Sequence, residues 1–403
     1  MEFNILKTSE YCENITDGTH DSPKKKEFGK KLITSKHING DYIDLDSAYY
    51  ISEEDYNIIN KKSLVEINDI LFSMIGTIGL IHRVVEKPNY AIKNMGLFKL
   101  KDPLKSAWLY YYLKTPLMKE KINKLSSGST QQYITLKNLR NLEIKVPKNI
   151  EDTKKIIKIL NMLDQKILIN KKNIDFLTDI NKEIYKNMNF RKDNDKVIKI
   201  KLVDELKIIN GYSYKGTDLA ENSNIGMMTI KNFHRNGGFK IDGFKSVISE
   251  KIKDRHFLEM FDIVVACTDL TQNAEIIGNP LILLDKGKYQ KNIMSMDLVK
   301  IEPIGKLNKF FLFEVLNSQL FKNFALGYTS GTTVLHLNKK CFEDFEFLIP
   351  KDEVELGKIT NLFEMNHKKI SNNLIENRIL EDLRDMLLPK LINGEINLDK
   401  IEI

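Results

Sequence analysis

Apolar positions along the chain fall into two textures, each of which occurs twice. Residues 1–148 and 198–350 carry short apolar runs such as DILFSMIG and DIVVAC, punctuated by Gly, Asn and Asp. That texture predicts mixed α+β globules with short strands. WLYYYLKTPLMKEKINKL, from Trp108, and FFLFEVLNSQLFKNFAL, from Phe310, read as one equivalent helix in each globule. After Pro147 and Pro350 the pattern turns helical. Ile156, Leu160, Leu163, Ile167, Asn170, Ile174, Leu177 and Ile184 follow a 4-3 spacing without Gly or Pro between them, which is a heptad seam. A weaker seam (Ile359, Phe363, Ile370, Leu380, Leu387) carries Asn366, Asn373 and Asn377 and is expected to stop at Pro389. Polar seam residues commonly fix register and partner.

These textures recur because the chain repeats itself. SGSTQQYITLKNLRNLEIKVPK, from Ser127, aligns without a gap with SGTTVLHLNKKCFEDFEFLIPK, from Ser330, at an offset of 203 residues. From Ser127 to Ile184 that offset gives 15 identities in 58 positions, where chance in so Lys- and Ile-rich a chain gives roughly 4–5. Upstream the match is looser. LITSKHINGDYID, from Leu32, echoes MMTIKNFHRNGGFKID, from Met227, and NDILFSMIGTIG, from Asn68, echoes FDIVVACTDLTQ, from Phe261.

The predicted organisation is therefore a globule at 1–148, a long helix at 149–189, a charged linker at 190–199, a second globule at 200–350 and a second long helix with a tail at 351–403. The second helix has one obvious stripe to bury against, that of the first, and must return antiparallel to it. The expected fold is α+β: two similar globules separated by an antiparallel coiled-coil spacer, with pseudo-two-fold internal repetition. On such a spacer the globules could sit one DNA turn apart and reach two major-groove segments. Since the globules differ in sequence, the two half-sites should differ too.

Composition adds constraints. The chain has 403 residues and a net charge of +7, with 22 Lys/Arg against 11 Asp/Glu concentrated between residues 101 and 200, a distribution that suits a polyanionic partner. Cys12, Cys267 and Cys341 are scattered and fit a reduced, cytoplasmic setting. Neither a membrane span nor a secretory leader is legible. Sites for chemistry are also missing. Gly278-Asn279-Pro280-Leu281 lacks the second proline and the aromatic of an adenine-flipping loop. GxGxxG and GxxxxGK[ST] are absent, and the seven histidines show no metal spacing. His20-Asp21-Ser22 has the residue types of a catalytic triad, but sequence neighbours diverge in space. Gly76-Thr77-Ile78-Gly79 reads as a strand turn.

Over its whole length the sequence resembles the specificity subunits of type I restriction-modification systems. The resemblance rests on DGTHDSPK at Asp17, GYSYKGTDL at Gly211, NDILFSMIGTIG, the GST and GTT loops before strands ending in VP or IP, and the terminal LRDMLLPKLINGEI. The sequence departs from the family in lacking the Glu-Gln pair that often precedes each long helix. The resemblance implies a non-catalytic subunit that reads a bipartite, asymmetric target in double-stranded DNA. It implies partnership with two methyltransferase subunits and with restriction/translocase subunits. It also implies that S-adenosylmethionine, ATP and Mg belong to those partners, with no cofactor bound by this chain. A stand-alone two-headed DNA-binding scaffold or regulator is the alternative. Base-edge and phosphate contacts call for Arg, Lys, amide and hydroxyl side chains. The candidates are Thr19, His20, Lys24, Lys25, Lys36, Ser73, Thr77, Ser129 and Gln131 in the first globule. In the second they are Tyr212, Tyr214, Lys215, Lys231, Thr268, Gln272, Thr332 and His336.

Overall fold

The computed structural model describes residues 1–40, 42–126, 132–189, 196–235, 237–271 and 273–398. The chain divides into two compact units, residues 1–165 with 380–403, and residues 166–379.

In the first unit a four-stranded antiparallel sheet runs in the order Asn14–Asp17, Met95–Lys99, Ile70–Ser73, Ile81–Arg83. A second, mixed sheet runs Tyr49–Ile51, Lys30–Ile33, Tyr90–Ile92. Phe3–Lys7 pairs with Glu143–Pro147. Asp102 accepts from the Leu104 and Lys105 amides and starts the helix Pro103–Lys114, which is buried on nearly every side because it is apolar nearly all round. Trp108 is fully buried there, and its indole N–H donates to the Lys145 carbonyl at 2.8 Å.

The second unit repeats this plan. Its sheets run Leu206–Asn210, Leu298–Pro303, Ile263–Ala266, Pro280–Ile282, and Lys245–Ser246, Ile225–Met228, Lys291–Met294, Phe257–Leu258. Val197–Lys201 pairs with Glu346–Pro350. The looser upstream echoes are structural equivalences. Leu32 and Met227 are both fully buried in equivalent strands. Asn68 and Phe261 both take a left-handed backbone, with φ of 75° and 69°, ahead of equivalent strands.

Three expectations change. The single helix expected in each globule is two, Pro103–Lys114 with Pro116–Leu125 and Lys309–Leu316 with Gln319–Leu326. Pro116 has no N–H to continue the first, and the Thr115 and Ser318 side chains cap new helices. The stretch read as linker through Lys199 is already strand from Val197, because a partner strand, and not local periodicity, specifies it. The second long helix passes Pro389 and ends at Ile392. The lost N–H falls in the last turn, where buried Leu388, Leu391 and Ile392 hold the backbone against the core.

The long helices are Ile150–Asn189 and Glu353–Ile392. In the first unit Ile156 and Leu160 share a core with Leu388 and Leu391. In the second, Asn170 Nδ2 donates to Asn377 Oδ1 at 3.0 Å, and Asn366 Nδ2 donates to Asn181 Oδ1 at 2.7 Å. Within that unit the helices therefore run antiparallel, and their seam asparagines pair with each other.

Candidate nucleic-acid interface

The described candidate residues fall on or beside three features that recur in each unit. The first is the loop after the opening strand. Gly18 lies so close to the next strand that a Cβ would sit 2.3 Å from the Ile92 carbonyl oxygen, and at Gly211 a Cβ would sit 1.9 Å from that of Ser295. Only glycine fits either place. Beyond Gly18, Thr19 is half-buried and its hydroxyl accepts from the Asp21 amide at 3.1 Å. The exposed His20 ring is held by Asp17 Oδ2 and Asn94 Oδ1, each at 2.9 Å. Lys62 Nζ lies 2.6 Å from Asp17 Oδ1. Burial pushes the Asp17 carboxyl up, but the hydrogen bonds from Lys62 and His20 outweigh it, and the net shift is downward.

After Gly211 the side chain equivalent to Thr19 is Tyr212, expected at the surface as a DNA contact and found inside its own loop. Tyr212 is buried, its hydroxyl is engaged by Asp218 and Ser249, and its ring packs against His256. It builds the loop instead of presenting itself. Tyr214 is half-buried under Lys245, whose Nζ donates to its hydroxyl at 3.1 Å. Lys215 is exposed.

The second feature is a 3-10 turn after the parallel strand. His37 Nδ1 accepts from the Thr34 amide at 2.8 Å, and Asn232 Oδ1 accepts from the Thr229 amide at 2.9 Å. These matched caps hold Lys36 and Lys231 in equivalent exposed positions. Lys24 and Lys25 are exposed in the preceding segment of the first unit, with Lys25 Nζ 5.5 Å from the centre of the Tyr49 ring.

The third feature is the loop after the strand Ile70–Ser73 or Ile263–Ala266. Ser73 is fully buried, donating to the Thr77 carbonyl at 2.5 Å and accepting from the Leu80 amide at 2.7 Å. Its hydroxyl closes the Gly76–Gly79 turn, both glycines having positive φ, so Ser73 is not on the surface where a DNA contact was expected. Thr77 is exposed on that turn. In the second unit the loop is longer and internally braced. Asp269 accepts from the Thr271, Ile276 and Ile277 amides, and Lys322 Nζ donates to the Ala274 and Ile277 carbonyls. Thr268 pairs with His336 in a small sheet, its hydroxyl donating to Asp297 at 3.0 Å. His336 and Thr332 are exposed. Ser129, Gln131 and Gln272 lie outside the described residues.

Sequence reasoning passed over Tyr133, 45% exposed, which bridges Ile75 as His336 bridges Thr268. The 203-residue offset pairs Tyr133 with His336 and could have found it. It also passed over Phe28, which is 82% exposed. Among the described residues no group of three His, Cys, Asp or Glu side chains is placed to hold a metal.

Several known proteins are similar to this chain. Residues 10–179 match the family model of the type I restriction modification DNA specificity domain. The type I restriction enzyme MjaIX specificity subunit of Methanocaldococcus jannaschii is 27% identical over 430 residues, spanning 99% of this chain and 95% of that protein. The HindI specificity subunit of Haemophilus influenzae is 38% identical over 82 residues, 20% of this chain and 16% of the other. A crystal structure of the S subunit of a type I restriction-modification system from M. genitalium has the same fold, with a TM-score of 0.61 at 17% identity over 97% of this chain and 96% of that one. Its duplicated sheets and matched loops, with a relative that runs its full length, make the chain similar to the specificity subunits of type I restriction-modification systems.

Proposed function

We propose that this chain is the specificity subunit of a type I restriction-modification system, that it reads a bipartite, asymmetric target in duplex DNA, one half with each recognition domain (1–148 and 200–350), and that it performs no chemistry of its own. One observation carries the reading. The same framework is built twice, yet the side chains at matched surface positions differ, as with Tyr133 against His336. Shared framework with changed surface is what two readers of different half-sites need, since base edges are told apart by side-chain identity while phosphate contacts only position.

The long helices are proposed as an antiparallel coiled-coil spacer between the readers. Paired asparagines in the seam support this, because a buried Asn finds its partner in one register only. Each unit also leaves large apolar side chains exposed on these helices. Among them are Met162 and Met386 in the first unit, and Ile169, Phe176, Met365 and Ile379 in the second. Met162, Ile169 and Phe176 are seven residues apart along the first long helix, a heptad spacing suited to partner helices. The proposed occupants are two methyltransferase subunits, with restriction/translocase subunits completing the assembly. S-adenosylmethionine, ATP and Mg would be held by those partners. A cytoplasmic location accords with that role. No helix among the described residues is long and apolar enough to cross a membrane.

The test is radiolabelled methyl transfer by the chain alone and with its methyltransferase, beside salt titrations of binding to target and scrambled duplexes. Transfer should require the partner. Affinity for both duplexes should fall steeply with salt as lysine–phosphate contacts release counterions, while preference for the target persists. Transfer by the isolated chain, or equal affinity for both duplexes at every salt concentration, would overturn the reading.

A further inference from the structure

In the first unit the chain wraps around the end of one strand. Lys26 bridges Tyr50 on one edge of the strand Tyr49–Ile51, while Lys30 and Lys31 pair with Ile51 and Tyr50 on the other. The crossover is only Glu27-Phe28-Gly29. It is tight, because Gly29 has φ +140° and a Cβ there would lie 2.1 Å from the Ile51 carbonyl oxygen. Backbone so pinned cannot fold its middle residue inward, and Phe28 is left 82% exposed.

The surroundings of that ring are basic. Residues 24–36 hold six lysines and one carboxylate, Glu27. Three of the lysines lie over tyrosine rings, Lys25 over Tyr49, Lys30 over Tyr56 and Lys31 over Tyr50, at 5.5, 5.6 and 3.8 Å from the ring centres. Glu53 approaches Lys30 at 3.9 Å. An apolar ring amid lysines is a poor match for an apolar protein surface. It is a good match for a polyanion with an apolar interior, which describes stacked bases between phosphates. The equivalent segment of the second unit, from Leu219 to Lys231, has no aromatic residue and a single lysine.

We infer that Phe28 is a wedge that enters the base stack at one step of the half-target read by the first unit, with the exposed Lys24, Lys25 and Lys26 on the flanking phosphates, and that the second unit reads its half without a wedge. This rests on the DNA-recognition reading above and adds indirect readout to it, since the cost of opening a step depends on its sequence.

The experiment uses the full chain with its methyltransferase partner and the target found by methylome sequencing. 2-Aminopurine is placed in turn at each position other than the methylated adenines. The expected result is a fluorescence rise at one step of the first half and at none of the second. Phe28→Ala should abolish that rise and weaken binding roughly ten-fold, while Phe28→Trp retains both. A nick at the same step, which opens the stack beforehand, should shrink the Phe28→Ala deficit. The wedge is overturned if no position in the first half responds, or if Phe28→Ala binds DNA like the parent. It is equally overturned if the variant's defect is loss of the methyltransferase in the absence of DNA. Failure of the unaltered complex to prefer target over scrambled duplex would instead sink the DNA-specificity reading itself.

Discussion

Arg384 of the second long helix donates to Asp164 of the first at 2.9 Å, and Asp164 also accepts from the Tyr111 hydroxyl at 2.7 Å. The 203-residue offset relates Tyr111 to Glu314, Asp164 to His367 and Arg384 to Asn181. In the other unit His367 Nε2 lies 2.7 Å from Glu314, and Asn181 Nδ2 donates to Glu314 at 3.2 Å. Each unit thus ties its globular helix to the helix pair at the same place, but with different chemistry.

Removing Arg384 leaves the largely buried Asp164 without its cation. Arg384→Ala is expected to destabilise the first unit by about 2 kcal/mol, below the full cost of a wholly buried pair because both groups retain some exposure. The drop would be read as a lower urea midpoint. The triple exchange Tyr111→Glu, Asp164→His and Arg384→Asn, which copies the other unit's set, should recover most of it. No recovery would mean that the two sites are not equivalent.

The loop carrying His20 should depend on pH through Asp17. Its carboxyl is held below the ordinary value, so the stabilisation is complete above about pH 4 and is lost as pH falls through the lowered value. Hydrogen exchange of residues 18–22 is expected to quicken on that acid limb. Asp17→Asn should quicken it at neutral pH and flatten the dependence, while an unchanged acid limb in that variant would assign the effect to another group.

Replacing residues 1–148 with the equivalent globule of a relative should alter one half of the methylated target and leave the other intact. The two globules have separate cores, one around Trp108 and one around Phe311. Methylome sequencing of the chimera checks this, and a change in both halves would refute independent readers.

Four residues added to both long helices should lengthen each by ~6 Å and rotate the residues downstream of the insertion by ~40°. The expected outcome is a non-specific gap wider by one or two base pairs between unchanged half-sites. If the gap stays the same, the helices do not set it.

Repetition, helical seams and the resemblance to a family were legible in the chain because each is written in local order. A 203-residue offset survives as identities, and a heptad seam survives as spacing. Glycines such as Gly18 and Gly211 were visible as parts of motifs, although the carbonyls that exclude a side chain there come from Ile92 and Ser295, far along the chain. The tertiary structure alone decided which polar side chains remain at the surface. Ser73 and Tyr212 look like DNA contacts in sequence, yet each closes its own loop from within. Val197–Lys199 looks like linker and is strand, because Leu348–Pro350 lies beside it. Phe28, which sequence reasoning passed over, is exposed because the end of a neighbouring strand leaves its crossover no room to turn inward. Burial is a property of what packs against a residue, and for these residues the packing partner lies elsewhere in the chain.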